Sequence, residues 1–546
     1  MNVIFLVLFL LLVIVVSSAL VRVLPVALPL PLMQIALGAL VGSVADLRVE
    51  LDPDVFFLLF LPPLLFLDGW RMPKNGPLRD KLAVLEMAFG LVIFTVIGLG
   101  YFVNWMIPAI SLPASFALAA IVSPTDPIAV SAIAQRVPIP ARLMHILEGE
   151  ALLNDASGLV CMRFAVAAAV TGAFSLASAA GTFLWLAGGG IVAGICVTVV
   201  VIAVKNWVAR HYGEESGTQI VISLLIPFAA YLLAERMHAS GILAAVAAGI
   251  TMSYAEQYGQ SLPSTRIRRG VVWDLLQFTA NGCVFVLLGE QLPQIVTGAE
   301  SVVQQTGHHR PVWLLLYAIV LYAVLVMLRF LWVWTSLRFT LLRAQRRGQR
   351  ASDPGWRLIA VTSLAGVRGA VTLAAVLTLP LMLSDGRDFP ARELAIFLAA
   401  SVIILSLLAA SVLLPRLLHG LQLPPGPSHQ REEDQARIAA AESAIRAVEK
   451  NLHERRVGSA DAALYTDVGA RILELYRHRV DTRRKFGEDS GEAAKISLIE
   501  RELRLVALHA ERDEIHRIVH AGGVSEEIGS RLIREVDLIE TRVSAG

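Results

Sequence analysis

Apolar residues dominate the first ~420 positions in long blocks with few polar interruptions. The blocks fall near 2–20, 24–43, 54–69, 82–107, 114–135, 142–171, 182–204, 217–235, 239–254, 271–289, 311–337, 357–383 and 393–420. Most reach roughly 18 residues, enough for a helix to cross a hydrocarbon core of about 30 Å. The pattern predicts an all-α polytopic membrane protein with about thirteen transmembrane helices. It changes after Leu421-Gln-Leu-Pro424-Pro425-Gly426-Pro427, a helix stop and short linker. Beyond it, charges of both signs surround apolar positions at helical spacing, as at Ile499, Leu503 and Val506. We therefore divide the chain into a membrane domain, 1–423, and a soluble helical tail, 424–546, that dimerises, packs on the membrane domain or regulates it.

Composition agrees with the pattern. Hydrophobic residues make up 56% of the chain and charged residues 17%, against about 25% in a soluble domain. A net charge of +2 says little about partners; no nucleic-acid partner is expected. Cys161, Cys196 and Cys283 all lie in apolar blocks, without disulfide or metal-ligand spacing. The first block has the length of a signal peptide but no basic lead-in or small-x-small cleavage site, so it reads as a span.

Lys and Arg alternate strongly between successive loops. One set carries Arg22, Arg71, Lys74, Arg79, Lys81, Arg136, Arg142, Lys205, Arg210, Arg266, Arg268, Arg269, Arg338, Arg343, Arg346, Arg347, Arg350 and Arg357. The other carries only Arg48, Arg236, Arg310, Arg387 and Arg392. The richer set belongs in the cytoplasm. Thirteen spans then leave the N-terminus outside a bacterial inner membrane and the tail in the cytoplasm.

Charged residues inside apolar blocks need a reason, because each costs at least about 2.5–3.5 kcal/mol at mid-bilayer. In the fifth block, Ser123-Pro124-Thr125-Asp126-Pro127 cannot continue a helix, and its freed backbone groups must line a cavity or pack in protein. Asp126 sits in that break, where it could also cap the following half-helix. The sixth block reads Glu148-Gly149-Glu150-Ala151-Leu152-Leu153-Asn154-Asp155-Ala156-Ser157-Gly158. Counted from Arg142, Asp155 lies about 20 Å up the helix, near the bilayer middle. Glu150 and Asn154 share a face. In the eleventh block Arg329 is too deep to snorkel; Glu150 is its natural partner in a structural ion pair. In the twelfth, Gly366-Val367-Arg368-Gly369-Ala370 predicts a second interrupted helix, seven spans after the first, as inverted repeats would give. There Arg368 either meets the ion or neutralises half-helix carbonyls. A lone Asn281 in the tenth block reads as a helix-to-helix hydrogen-bonding residue.

Taken in order, Ser123-Pro124-Thr125-Asp126-Pro127, Glu148-Gly149-Glu150 with Asn154-Asp155-Ala156, and Gly366-Val367-Arg368-Gly369-Ala370 resemble the sodium/proton exchanger family of the NHE and NhaP type. The segment order is similar to its bacterial YjcE-like branch. The resemblance implies a homodimer with a dimerisation domain and a six-helix transport bundle, at whose centre two unwound helices cross. It implies that Asp155 carries ion and proton in turn, with Na+ or K+ held there and by the Thr125 carbonyl. Asp126 and Asn154 would frame the site, Glu150 and Arg329 would pair inside the bundle, and Arg368 would be the charge at the second crossing. The Asn154-Asp155 pair resembles the electroneutral branch. Two departures bear on the ion: Ala151 stands where many relatives have Ser, and Leu67, followed by Asp68, where many have an acid.

A single buried carboxylate offers one place to two competing ligands, since neutrality comes from a proton or a bound cation. That predicts a secondary antiporter of a monovalent cation, sodium first and potassium second, serving pH and cation homeostasis without a cofactor. The rivals are a channel or a non-transporting pH sensor on the same fold. No P-loop pattern supports an ATP-driven pump. Seven of the twelve histidines lie at or beyond His419. Of these, His516 and His520 share a helix face, a candidate pH sensor in the tail.

Overall fold

The computed structural model describes residues 2–24, 28–44, 53–72, 86–126, 130, 141–171, 176–213, 215–258, 263–305, 312–346, 355–383, 389–419, 429–456, 462–486, 490–521 and 524–544. Pro127 and the 421–427 linker lie outside the described residues. The chain divides into two compact units, Met1–Gln422 and Leu423–Gly546.

Among the described residues, most of the apolar blocks of the first unit are helical. Its helices are α1 (Asn2–Val23), α2 (Leu30–Val44), α3 (Pro53–Arg71), α4 (Leu91–Met106, entered through a π-helical turn, Glu86–Gly90), α5 (Leu112–Val122) and α6 (Ala141–Thr171). There follow α7 (Leu176–Tyr212), α8 (Ser216–Arg236), α9 (Gly241–Tyr258), α10 (Pro263–Gln305), α11 (Val312–Arg346), α12 (Gly355–Leu364), α13 (Ala370–Leu377) and α14 (Arg392–Leu418). Among the described residues, five helical stretches are long and apolar enough to cross a membrane: Leu184–Tyr212, Ser216–Arg236, Ser264–Ala299, Val312–Phe339 and Arg392–Leu418. The outward face of α7, including Ile191, Ile195, Val199 and Trp207, is exposed in the isolated chain. So large an apolar face suits lipid rather than water. Several helices outrun their apolar blocks. The α10 block ends near 289, yet the helix continues to Gln305, because an apolar window records what meets lipid and not where backbone bonding stops.

Two groups of helices form within this unit. In one, α2 packs on α10, α3 on α9, and α7 on both α8 and α9. In the other, α4 packs on α5 and α11, α5 on α6, and α14 on α11 and α12. Glycine sets the closeness of the first group. A Cβ on Gly38 would strike the Val286 carbonyl, and one on Gly289 the Ile35 carbonyl, so α2 and α10 cross backbone to backbone. Gly69 and Gly249 do the same for α3 and α9.

The second unit contains α15 (His429–Arg456), α16 (Ala462–Phe486), α17 (Ser490–His520) and α18 (Glu526–Ser544). Helices α15 and α16 pair, with Arg477 reaching Glu449 at 3.1 Å. Helices α17 and α18 also pair, through Arg512 to Asp537 at 2.7 Å, Arg512 to Glu540, and His509 to Glu540 at 3.2 Å. The Arg512 guanidinium, then His509, hold the Glu540 carboxyl below its ordinary value. A depressed carboxyl stabilises the hairpin above its unfolded pKa and ceases to do so as pH falls through the folded one.

Gly289→Ala should lower the melting temperature of the purified protein by several degrees, from an overpacking cost of about 1–3 kcal/mol. Gly188→Ala, where a Cβ meets nothing within 4 Å, should leave it unchanged. Equal melting temperatures for both variants would contradict the close α2–α10 crossing.

Candidate functional site: two broken helices crossing beside Asp155

The second group is built around two interruptions. Helix α5 stops at Val122, and residues 123–126 are non-helical, with Pro124 denying the helix a donor. Helix α12 stops at Leu364 and α13 begins at Ala370, leaving 366–369 non-helical. The unwound segments bond to each other: the Asp126 N–H donates to the Val367 carbonyl at 2.7 Å.

Arg368 fills the crossing and is 1% exposed. Its Nε donates to the Val122 carbonyl at 2.9 Å and its Nη1 to the Gly366 carbonyl, while its backbone N–H donates to Ser406 Oγ of α14 at 3.1 Å. Val122 ends α5, and Gly366 lies just past the end of α12. The guanidinium therefore satisfies carbonyls that the two helix C-termini leave without partners, where a cation is favoured. Asp126 takes the complementary place. Its carboxylate lies so close to Gly369, the residue before α13, that any Cβ there would collide with it. It thus stands at the N-terminal end of α13, where the helix end favours an anion; residues 127–129 and 131–140, which follow it in sequence, lie outside the described residues.

Helix α6 runs alongside, with a buried polar stripe. Glu150, wholly buried, accepts two bonds from Arg329 of α11, at 2.5 Å from Nη1 and 2.8 Å from Nη2. Arg329 Nε donates to the Thr362 carbonyl of α12 at 3.2 Å. Gly366 passes directly over this guanidinium. The pair extends by side-chain bonds: Thr125 Oγ1 donates to Glu150 Oε1 at 3.3 Å and accepts from Asn154 Nδ2 at 2.8 Å. Asn154 Oδ1 is buried with no hydrogen-bond partner among the described residues.

Asp155 is 7% exposed, and its carboxylate makes no hydrogen bond or ion pair among the described residues. Its neighbour acids are Asp68, Asp126 and Glu150. Glu150 is paired with Arg329, whereas Asp155 lies buried among these acids with no ion pair among the described residues.

The structure thus brings Asp126, Thr125, Asn154, Glu150, Arg329 and Arg368 into one network beside Asp155. Thr125 enters it through its hydroxyl, whereas the sequence pointed to its carbonyl. Arg368 is consumed by helix-end carbonyls. The side chain of Glu148 lies outside the described residues. Two elements escaped the sequence reading. Ser406 had no signal. Arg163, within Leu159-Val-Cys-Met-Arg163-Phe, did: it is a deep arginine like Arg329, and it pairs with Glu235 of α8 at 3.0 Å.

Comparison with known proteins decides what this constellation belongs to. A family model described as sodium/hydrogen exchanger, transmembrane, matches residues 7–420. The chain belongs to the sodium/hydrogen exchanger family. It is 41% identical over 547 residues to the Na(+)/H(+) exchanger YjcE of Escherichia coli strain K12, covering 99% of this chain and 98% of that protein. It is 36% identical over 548 residues to a sodium, potassium, lithium and rubidium/H(+) antiporter of Bacillus subtilis strain 168, covering 99% of this chain and 78% of that one. The fold is similar to that of the sodium proton antiporter MjNhaP1 of Methanocaldococcus jannaschii, with a TM-score of 0.57 at 18% identity over 77% of this chain and 99% of that one. Family membership makes the chain a multi-pass membrane exchanger and not an enzyme. Within that frame, Ala151 is buried on α6 one turn before Asp155, Leu67 is buried on α3, and Asp68 beside it is half-buried.

Removing either partner of the Glu150–Arg329 pair strands a buried charge at a cost of about 3–5 kcal/mol. Glu150→Gln and Arg329→Met should each lower thermal stability, and the double variant should lose less than the sum of the two. Additive losses in this cycle would show that the pair carries no coupling.

Proposed function

We propose that this exchanger trades a monovalent cation, sodium first, for protons at Asp155, electroneutrally, with one ligand occupying the carboxylate at a time. The observation that carries the reading is the contrast along α6. Glu150 is neutralised by Arg329, while Asp155, five residues on, is buried beside the crossing with no ion pair to a cation among the described residues. In the inner membrane of a bacterium with protons driven inward, such exchange expels the cation. The Thr125 carbonyl and Asn154 Oδ1 are the further oxygens within the network that a cation could use; Asp126 and Arg368 hold the crossing in shape.

The fold reading that goes with this function is thirteen spans in two inverted repeats. Its support is an exchange of contacts: α2 packs on α10 as α9 packs on α3, which are the same pair once α2 is matched to α9 and α3 to α10. The loop arginines support an outside N-terminus and a cytoplasmic tail. A homodimer held through the first helix group, with the 424–546 tail regulating or reinforcing it, completes the proposal. Potassium is the second candidate ion, favoured by the loss of a hydroxyl at Ala151 and of an acid at Leu67, and by the name of the Bacillus relative.

The test uses purified protein in liposomes with an internal pH dye and sodium, lithium or potassium gradients. Asp155→Asn should abolish cation-driven proton flux in a protein that melts normally; retained flux would sink the proposal. In the parent protein the half-saturating cation concentration should rise as pH falls, by up to about tenfold per unit once protons compete fully. A half-saturation indifferent to pH would exclude competition.

Ala151→Ser should change the sodium-to-potassium preference by adding an oxygen one turn from Asp155. Unchanged selectivity across all three ions would place that face away from the cation. Truncation after Leu421 examines the tail: a shifted pH midpoint of exchange keeps it in pH control, and an unchanged midpoint removes it. His509, which meets Glu540, is then a better candidate than His516 and His520.

A further inference from the structure

Among the described ion pairs of the membrane unit, that between Arg163 and Glu235 joins the two groups of helices. Arg163 belongs to α6, the helix of Asp155, eight residues on and about 12 Å further along the axis. Glu235 belongs to the last turn of α8, in the other group. The two meet at 3.0 Å, half-buried, with side-chain exposures of 32% and 37%.

The ends of the pair are not alike. Glu235 is anchored: the same Oε1 also accepts the N–H of Gly241, the first residue of α9, at 3.3 Å. The α8–α9 turn is itself pinned to α7, where Ser240 N–H donates to the Leu186 carbonyl at 3.0 Å and Trp185 Nε1 to the Met237 carbonyl at 3.3 Å. Arg163 is a long arm reaching across from α6. A fixed acceptor and a flexible donor make a contact that can let go without unfolding either group. The pair stands on the side of Asp155 toward the C-terminal end of α6, which is the outer side in the proposed orientation.

We infer that Arg163 and Glu235 form an outer latch, which holds the two helix groups together beyond Asp155 in the conformation seen here and must open for Asp155 to be reached from outside. The inference rests on the exchange reading above. It predicts that exchange requires the pair to separate, and that a covalent tie in its place stops turnover.

The experiment starts from the full chain with Cys161, Cys196 and Cys283 replaced by serine, then adds Arg163→Cys and Glu235→Cys together. A short, reducible bifunctional methanethiosulfonate reagent links the two positions, and mass spectrometry of the joined peptides gives the yield. Linked protein in liposomes should lose sodium-driven proton flux at least tenfold and regain it on reduction. Either single-cysteine variant treated the same way should keep its flux. Full linkage with unchanged flux would overturn the latch, as would failure of the positions to link. No flux in the unlinked parent would instead strike the exchange reading, and the latch with it. A second measurement is independent of cysteine. The reversed pair, Arg163→Glu with Glu235→Arg, should recover most of the flux and thermal stability that Glu235→Arg loses alone; a double variant no better than the single would also overturn the proposal.

Discussion

A helix that breaks inside a bilayer leaves carbonyls and amides with no water to bond, and the membrane unit is organised by that debt. Two helix C-termini, at Val122 and just before Gly366, converge on one point. Their carbonyls would repel each other and any nearby carboxylate. One guanidinium, that of Arg368, takes both. With the carbonyl ends neutralised by a side chain that enters from the crossing itself, the unwound segments can bond to each other, as Asp126 does to Val367. Gly369 is required because Asp126 occupies the space that any side chain would fill.

The same economy explains why two acids five residues apart on α6 have opposite fates. Glu150 meets Arg329 in a two-pronged geometry and is fixed. Through Thr125 that fixed charge also orients the Asn154 amide: its nitrogen is spent on the hydroxyl, and its oxygen is left over beside Asp155. A structural ion pair thereby decides which polar atoms of the neighbouring residues keep no partner among the described residues. The pair is not a ligand, yet the arrangement around Asp155 depends on it.

Much of this was legible in the sequence, because membrane burial makes each exception costly. The Pro124 break, the deep Arg329, the glycines around Arg368 and the polar stripe of α6 are all exceptions to an apolar rule, and the structure brings all four together at the helix crossing. What stayed hidden depended on partners rather than on residue type. Thr125 looks the same whether its hydroxyl or its carbonyl matters. Asp126 gave no sign that it would sit at the start of α13. Helix ends were also invisible wherever the helix leaves lipid, as in α10 beyond 289, since apolarity stops there and hydrogen bonding does not. Arg163 was legible in principle: the depth rule that singled out Arg329 applies equally to it, and only the search for a partner on another helix reveals Glu235.

The two kinds of contact in the membrane unit sort its stiffness. Within the first group, α2 meets α10 and α3 meets α9 through glycines, backbone against backbone, where a shift of even an ångström would drive carbonyls together. Within the second, the crossing is closed by buried charge and hydrogen bonds that lose their partners if any one member moves. Between the groups, α10 lies on α14 and α3 on α13, and Arg163 reaches Glu235 with its long side chain. Packing of this kind resists deformation inside each group and leaves the seam between them as the surface along which displacement costs least. Asp155 sits within the second group, so a displacement along that seam would leave its own surroundings on α5, α6 and the crossing in place.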